Sequence, residues 1–144
     1  MRANAKCLKL VWFFTSNCGA IMSGAEPPPT EFKSPLSAED SLRQFQIPND
    51  VQMSIAAAEP QVVDPVAIRF DELGRMWVVE MRDYPLGPTP GQPPLSQIRV
   101  LSDRDGDGRF ETSVLFADKL LFATGLQPWR GGVFVTLSGR VAYL

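Results

Sequence analysis

Apolar and polar residues alternate in short bursts along most of this chain, and Gly, Asp and Pro separate the bursts. A period of two marks strands that lie in a sheet. PVAIRFDELGRMWVVEMR (65–82) reads as a hairpin. Residues 67–70 run in, Asp71-Glu72-Leu73-Gly74 turns, and Met76 to Met81 returns. Gly74 suits the left-handed backbone of such a turn. Met76, Val78 and Glu80 share one face of the return strand, and Trp77, Val79 and Met81 the other, so burial on both sides is expected. QIRVLSD (97–103) and TSVLFAD (112–118) predict a second hairpin around an Asp-rich turn. GLQPW, VFVTL and RVAYL predict three further strands. VQMSIAAAE (51–59) alternates more loosely and is read with the same strand-and-turn region. Helical spacing occurs once, in SAEDSLRQF (37–45). There Ser37 can cap the helix, Asp40 stands three residues on, Leu42 and Phe45 make the apolar face, and Pro48 ends it.

The strands repeat. Shifting the first hairpin by 58 residues lays Ala67-Ile68 on Gly125-Leu126, Gly74 on Gly132, and Met76-Trp77-Val78 on Phe134-Val135-Thr136. Four-stranded propeller blades span about 40–50 residues. The excess falls in two loops, Pro85 to Pro94 and Asp103 to Gly108. The expected fold is all-β, a partial β-propeller of about one and a half four-stranded blades after a short N-terminal helix and linker. A β-sandwich fragment is the alternative. Pro65 to Asp118 would form one blade, and Thr124 to Leu144 three strands of the next. A propeller closes with at least about four blades. Residues 51–144 are therefore expected to be the N-terminal fragment of a propeller domain within a longer polypeptide, or the product of a truncated frame.

Residues 1–25 change the picture of location. Arg2, Lys6 and Lys9 precede the apolar run Leu10 to Phe14, and Ser23-Gly24-Ala25 supplies small residues before Glu26. That is the layout of a signal peptide, so export to the periplasm or cell surface is expected. Both cysteines, Cys7 and Cys18, lie inside it, and its removal would take the net charge from −2 to −5. EPPPTEFKSPL (26–36) opens a Pro-rich linker that runs with the short helix to residue 50. The balance of 14 basic and 16 acidic residues argues against a nucleic-acid partner. No apolar run approaches the ~18 residues of a membrane span, so none is expected in the mature chain. The chain has no histidine, which excludes a His-based acid/base pair, a Ser-His-Asp triad and CxxCH haem attachment within it.

Two places carry candidate chemistry. In DRDGDGRFE, Asp103, Asp105 and Asp107 stand on alternate positions. Their mutual repulsion favours a hard cation, and Ca²⁺ takes several oxygens at about 2.3–2.6 Å. Gly108 stands where an EF-hand loop turns sharply, Arg109 can offer its carbonyl, and Glu111 can add an oxygen. The closing glutamate of that loop would fall at Val114, so the pattern is EF-like on a hairpin. A plain polar turn is the alternative. The second place is Glu80, Arg82, Asp83 and Tyr84, at a strand end and in its loop, where they could hold polar groups of a sugar or cofactor acid. Equally, an Arg–Asp pair could stiffen the loop, with Tyr84 packed on Pro85. Arg130 beside Trp129 could present a guanidinium next to an aromatic plane.

DPVAIRFDELGRMWVVEMRDYP, QIRVLSDRDGDGRFETSVLFAD and TGLQPWRGGVFVT occur in order. Over residues 34–144 the chain resembles the N-terminal propeller of the membrane-bound dehydrogenase family of planctomycete and verrucomicrobial bacteria. That family is similar to quinoprotein glucose/sorbosone dehydrogenases. The resemblance implies oxidation of a sugar or alcohol, with pyrroloquinoline quinone possible only in the complete protein. The family's catalytic histidine and haem motif are missing here, so this chain is expected to be non-catalytic by itself, with no haem. Two other readings stand beside it. One is a calcium-stabilised propeller module that binds glycan or protein; the other is a truncated product with no function.

Overall fold

The computed structural model describes residues 34–144. The signal-peptide reading and the start of the Pro-rich linker lie outside the described residues. The chain divides into two units, Met1–Ile55 and Ala56–Leu144. In the first, α1 (Ala38–Leu42) is one short turn of helix. Ser37 caps it as the spacing predicts: its hydroxyl accepts from the Asp40 amide at 3.0 Å and donates to the Asp40 carboxylate at 2.9 Å. Among the described residues no helix is long and apolar enough to cross a membrane.

The second unit is all-β and holds two antiparallel sheets. Strands β1 (Pro65–Phe70), β2 (Met76–Glu80), β3 (Ser96–Ser102) and β4 (Thr112–Leu120) lie side by side in that order. Strands β5 (Gly125–Trp129), β6 (Gly132–Leu137) and β7 (Arg140–Tyr143) form the other sheet. Each predicted hairpin is present. Both sheets are open among the described residues, and no closed sheet forms. Residues 51–58, by contrast, join no strand. The pattern is too loose to present one apolar face, and three successive alanines (56–58) offer little side chain to bury.

β2 is buried along its whole length, as expected. One of its faces, with Trp77 and Val79, joins Ile98 of β3 against Leu126, Val133, Val135 and Leu137 of the second sheet. Burying each such side chain is worth about 1.5–3 kcal/mol, so this shared core holds the sheets together. The other face carries Met76, Val78 and Glu80, with Leu101 opposite Met76. Residues 56–63 lie along that side. The Ala56 carbonyl accepts from the Phe110 amide, and the Gln61 carbonyl from the Ser113 hydroxyl. The Val63 amide donates to the Glu80 carboxylate.

Register refines the repeat. Ile68 pairs with Val78 and Leu126 with Val135, so the incoming strands match at a shift of 58 and the return strands at 57. The second turn is one residue shorter. Asp71 bonds Arg75 across residues 72–74, whereas Trp129 pairs with Gly132 across Arg130 and Gly131. Gly74 therefore corresponds to Gly131 rather than Gly132, and both have left-handed backbone, φ 75° and 85°. With Arg130 at φ 45°, the second turn has two successive left-handed residues, as tight hairpins of type I′ require.

This alignment orders the faces. Met76 and Val78 correspond to Val133 and Val135, and Trp77 and Val79 to Phe134 and Thr136. The second sheet thus turns toward the first the face that the first sheet turns away from it. The sheets stack face to back, in the manner of successive copies, rather than face to face.

Candidate functional site

The acidic turn links β3 to β4. Ser102 pairs with Thr112 at its base, and the Thr112 hydroxyl donates to the Ser102 carbonyl. Aspartate side chains readily accept from backbone amides a few residues on, and this loop is built that way. Asp103 accepts from the Gly106 amide at 2.7 Å and the Gly108 amide at 2.8 Å. Asp105 accepts from the Asp107 amide, and Asp107 from the Arg109 amide at 2.6 Å. Glu111 reaches back to the Arg104 amide at 3.0 Å. Gly106 and Gly108 take φ 78° and 91°, which side chains rarely tolerate. The result is convergence: one carboxylate oxygen each from Asp103, Asp105, Asp107 and Glu111 lies within 4.8 Å of the others. Asp103 is half-buried and the other three are exposed. Such a cluster can hold a metal ion, and an all-oxygen donor set is compatible with Ca²⁺. Arg109 belongs to the same turn through its amide.

The second group sits at the end of β2. Glu80 is fully buried, and both of its carboxylate oxygens are bonded. One oxygen accepts from the Val63 amide at 2.9 Å; the other accepts from the Gln97 amide group and pairs with Arg82 at 2.9 Å. Asp83 is also buried and accepts from the Leu95 amide and the Ser96 hydroxyl, so it joins the two ends of the 83–95 loop. Glu80 and Asp83 brace the backbone around β2, and Arg82 pairs with the Glu80 carboxylate. Tyr84 is exposed, its ring edge-on to Phe122 at 6.5 Å. Arg130 lies apart from them, on the β5–β6 turn, with its guanidinium 5.5 Å from the Trp129 ring centre.

A family profile described as a domain of unknown function, DUF7133, matches residues 37–144. The chain belongs to this family. No curated protein and no solved structure matches it. The DUF7133 match begins at the cap of α1 and contains every candidate residue above.

Sequence reasoning missed a heavily bonded carboxylate of this DUF7133 domain. Asp71 accepts from the amides of Leu73 and Arg75, both at 3.0 Å. It also accepts from Arg75 Nε at 2.7 Å and from the Trp77 indole at 2.9 Å. Burial raises its pKa, but the bonds from Trp77, Arg75 and Leu73 outweigh that and hold it below the ordinary carboxylate value. An Asp opening a hairpin turn that ends in Gly was the available signal. The partners of Glu80, Val63 and Gln97, had no local signal, because each lies 17 residues from it.

Proposed function

We propose that this chain is a Ca²⁺-binding scaffold module of an exported propeller protein similar to quinoprotein sugar and alcohol dehydrogenases. The observation that carries the reading is the convergence of Asp103, Asp105, Asp107 and Glu111. Bound Ca²⁺ would offset half of the charge of four carboxylates and tie the end of β3 to the start of β4, stiffening that edge of the sheet. The face-to-back order of the two sheets supports the propeller part. The motif resemblance supports the dehydrogenase part. This chain has no histidine and so supplies no imidazole base. The base, pyrroloquinoline quinone and the sugar or alcohol substrate would belong to the rest of a longer polypeptide.

Calorimetric titration with Ca²⁺ tests the reading. The unaltered protein should give a saturable heat, and Asp105→Ala, at an exposed position, should abolish it. Free Ca²⁺ at a hundred times the dissociation constant should stabilise the fold by about 2.7 kcal/mol. No heat from the unaltered protein, or equal heat from both, overturns the metal reading.

A further inference from the structure

Residues 56–63 run along the first sheet without joining it. The face beside them carries Met76, Val78, Glu80 and Leu101, all fully buried. Of the segment's own side chains only Val62 is buried, so apolar packing contributes little to holding it there. Hydrogen bonds hold it instead, at two places. The first is residues 110–113. The Phe110 amide donates to the Ala56 carbonyl at 2.8 Å, and the Gln61 side-chain amide to the Glu111 carbonyl at 3.0 Å. The Ser113 hydroxyl donates to the Gln61 carbonyl at 2.9 Å and is itself fixed by Arg99 Nε at 2.7 Å. The second place is Glu80, whose carboxylate accepts from the Val63 amide at 2.9 Å.

These anchors belong to two different groups of charge. Glu111 gives its carbonyl to the segment while its carboxylate stands in the acidic cluster and reaches the Arg104 amide. Glu80 holds Arg82 through its second oxygen at 2.9 Å. Register separates the anchors by the length of β3: Ser102 pairs with Thr112 beside the acidic turn, and Gln97 with Glu80 at the other end. Four carboxylates with oxygens within 4.8 Å repel one another and press the turn to open. Opening at Glu111 withdraws the anchors at 110–113. A segment with so little buried surface then loosens from Glu80 as well. We propose that residues 56–63 are a strap that carries the state of the acidic turn to Glu80 and Arg82. A turn closed by a divalent cation holds the strap down and the Arg82 guanidinium in place; an open turn releases both. The cation is the Ca²⁺ of the function proposed above, and the inference rests on that reading for its effector. The joint opening of strap and turn needs no metal. Coupling is reciprocal, so loosening the strap weakens cation binding by the factor by which the cation tightens the strap.

Gln61→Ala in the full chain is the test, because Gln61 reaches Glu111 at its carbonyl and is no part of the carboxylate cluster. Without metal, the variant should exchange the Gly106 and Gly108 amides, which Asp103 holds, at least about fivefold faster by NMR. Unchanged exchange there overturns the strap whatever the metal does. With Ca²⁺, calorimetry should show the variant binding at least about fivefold more weakly than the unaltered protein. In the unaltered protein, saturating Ca²⁺ should slow exchange of the Val63 amide, the one bonded to Glu80, by about the same factor. Equal affinity in the two proteins, or a Val63 amide indifferent to bound Ca²⁺, overturns the strap and leaves the calcium site standing. No heat from the unaltered protein overturns the calcium reading and with it the effector, while the metal-free comparison still decides whether strap and turn open together. Unchanged exchange in β6, in the other sheet, confirms that the variant is folded.

Discussion

Asp71→Asn gives the sharpest test of what holds the first hairpin. The side chain is only 3% exposed and has four donors aimed at it. Asparagine keeps the shape and one acceptor oxygen, which can still receive the amides of Leu73 and Arg75. Its NH₂ group, however, would face Arg75 Nε and the Trp77 indole N–H, both donors. Trp77 is buried, so its N–H would be left without an acceptor, at a cost of about 1–3 kcal/mol. The ion pair with Arg75 adds less, because that arginine is 43% exposed and surface pairs are worth about 0–1 kcal/mol. The expected total is about 1–4 kcal/mol at pH 7. Urea unfolding, followed by far-ultraviolet circular dichroism, measures it. The depressed pKa of Asp71 adds a second requirement. A carboxyl whose folded pKa lies below its unfolded value stabilises the fold fully above that unfolded value, near 4, and loses the contribution as pH falls through the folded value. The substituted amide cannot titrate. The gap between the two proteins should therefore narrow below about pH 4, while the other carboxylates titrate alike in both and cancel. A gap under about 0.5 kcal/mol at pH 7, or one that stays constant down to about pH 2, would refute the reasoning.

Two further substitutions probe the supports around the site. Glu80→Ala removes the acceptor of the Val63 amide and Gln97 and the partner of Arg82, so it should cost about 3–5 kcal/mol, with faster proteolytic nicking within residues 56–63. Stability within about 0.5 kcal/mol of the unaltered protein would show that the buried carboxylate braces nothing. Gly132→Ala would drive a methyl group against the Leu144 carbonyl and to 2.6 Å from the Tyr143 ring. The Tyr143 hydroxyl, which donates to the Trp129 carbonyl at 2.9 Å, would have to move. Loss of about 1–3 kcal/mol with selectively faster hydrogen exchange in β7 is expected, and unchanged exchange there would contradict the packing described.

Much of the local structure was readable from residue order. The Ser37 cap, the β1–β2 turn and the Asp-rich turn each depend on groups within about eight residues of one another, so their chemistry is written in short spacings. The metal-site candidates formed a cluster because three aspartates on alternate positions and two left-handed glycines curl a chain onto itself locally. Residues 51–58 were misread because loose alternation by itself does not supply a strand partner. The roles of Glu80 and Asp83 were open between ligand binding and loop support. The structure engages both in backbone support, through partners 12 to 17 residues away.

The sequence alone determined the strands, their turns, the capped helix and the spacing of the acidic loop, since backbone preference and side-chain alternation act over a few residues. Tertiary structure decided which face of each strand meets which neighbour. It moved the second turn by one residue, so that Gly131 and not Gly132 answers Gly74, and it set the sheets face to back. Both strand faces of β2 are apolar, so hydrophobicity could not choose between them. The choice came from packing Trp77 and Val79 against Val133, Val135 and Leu137, more than fifty residues along the chain.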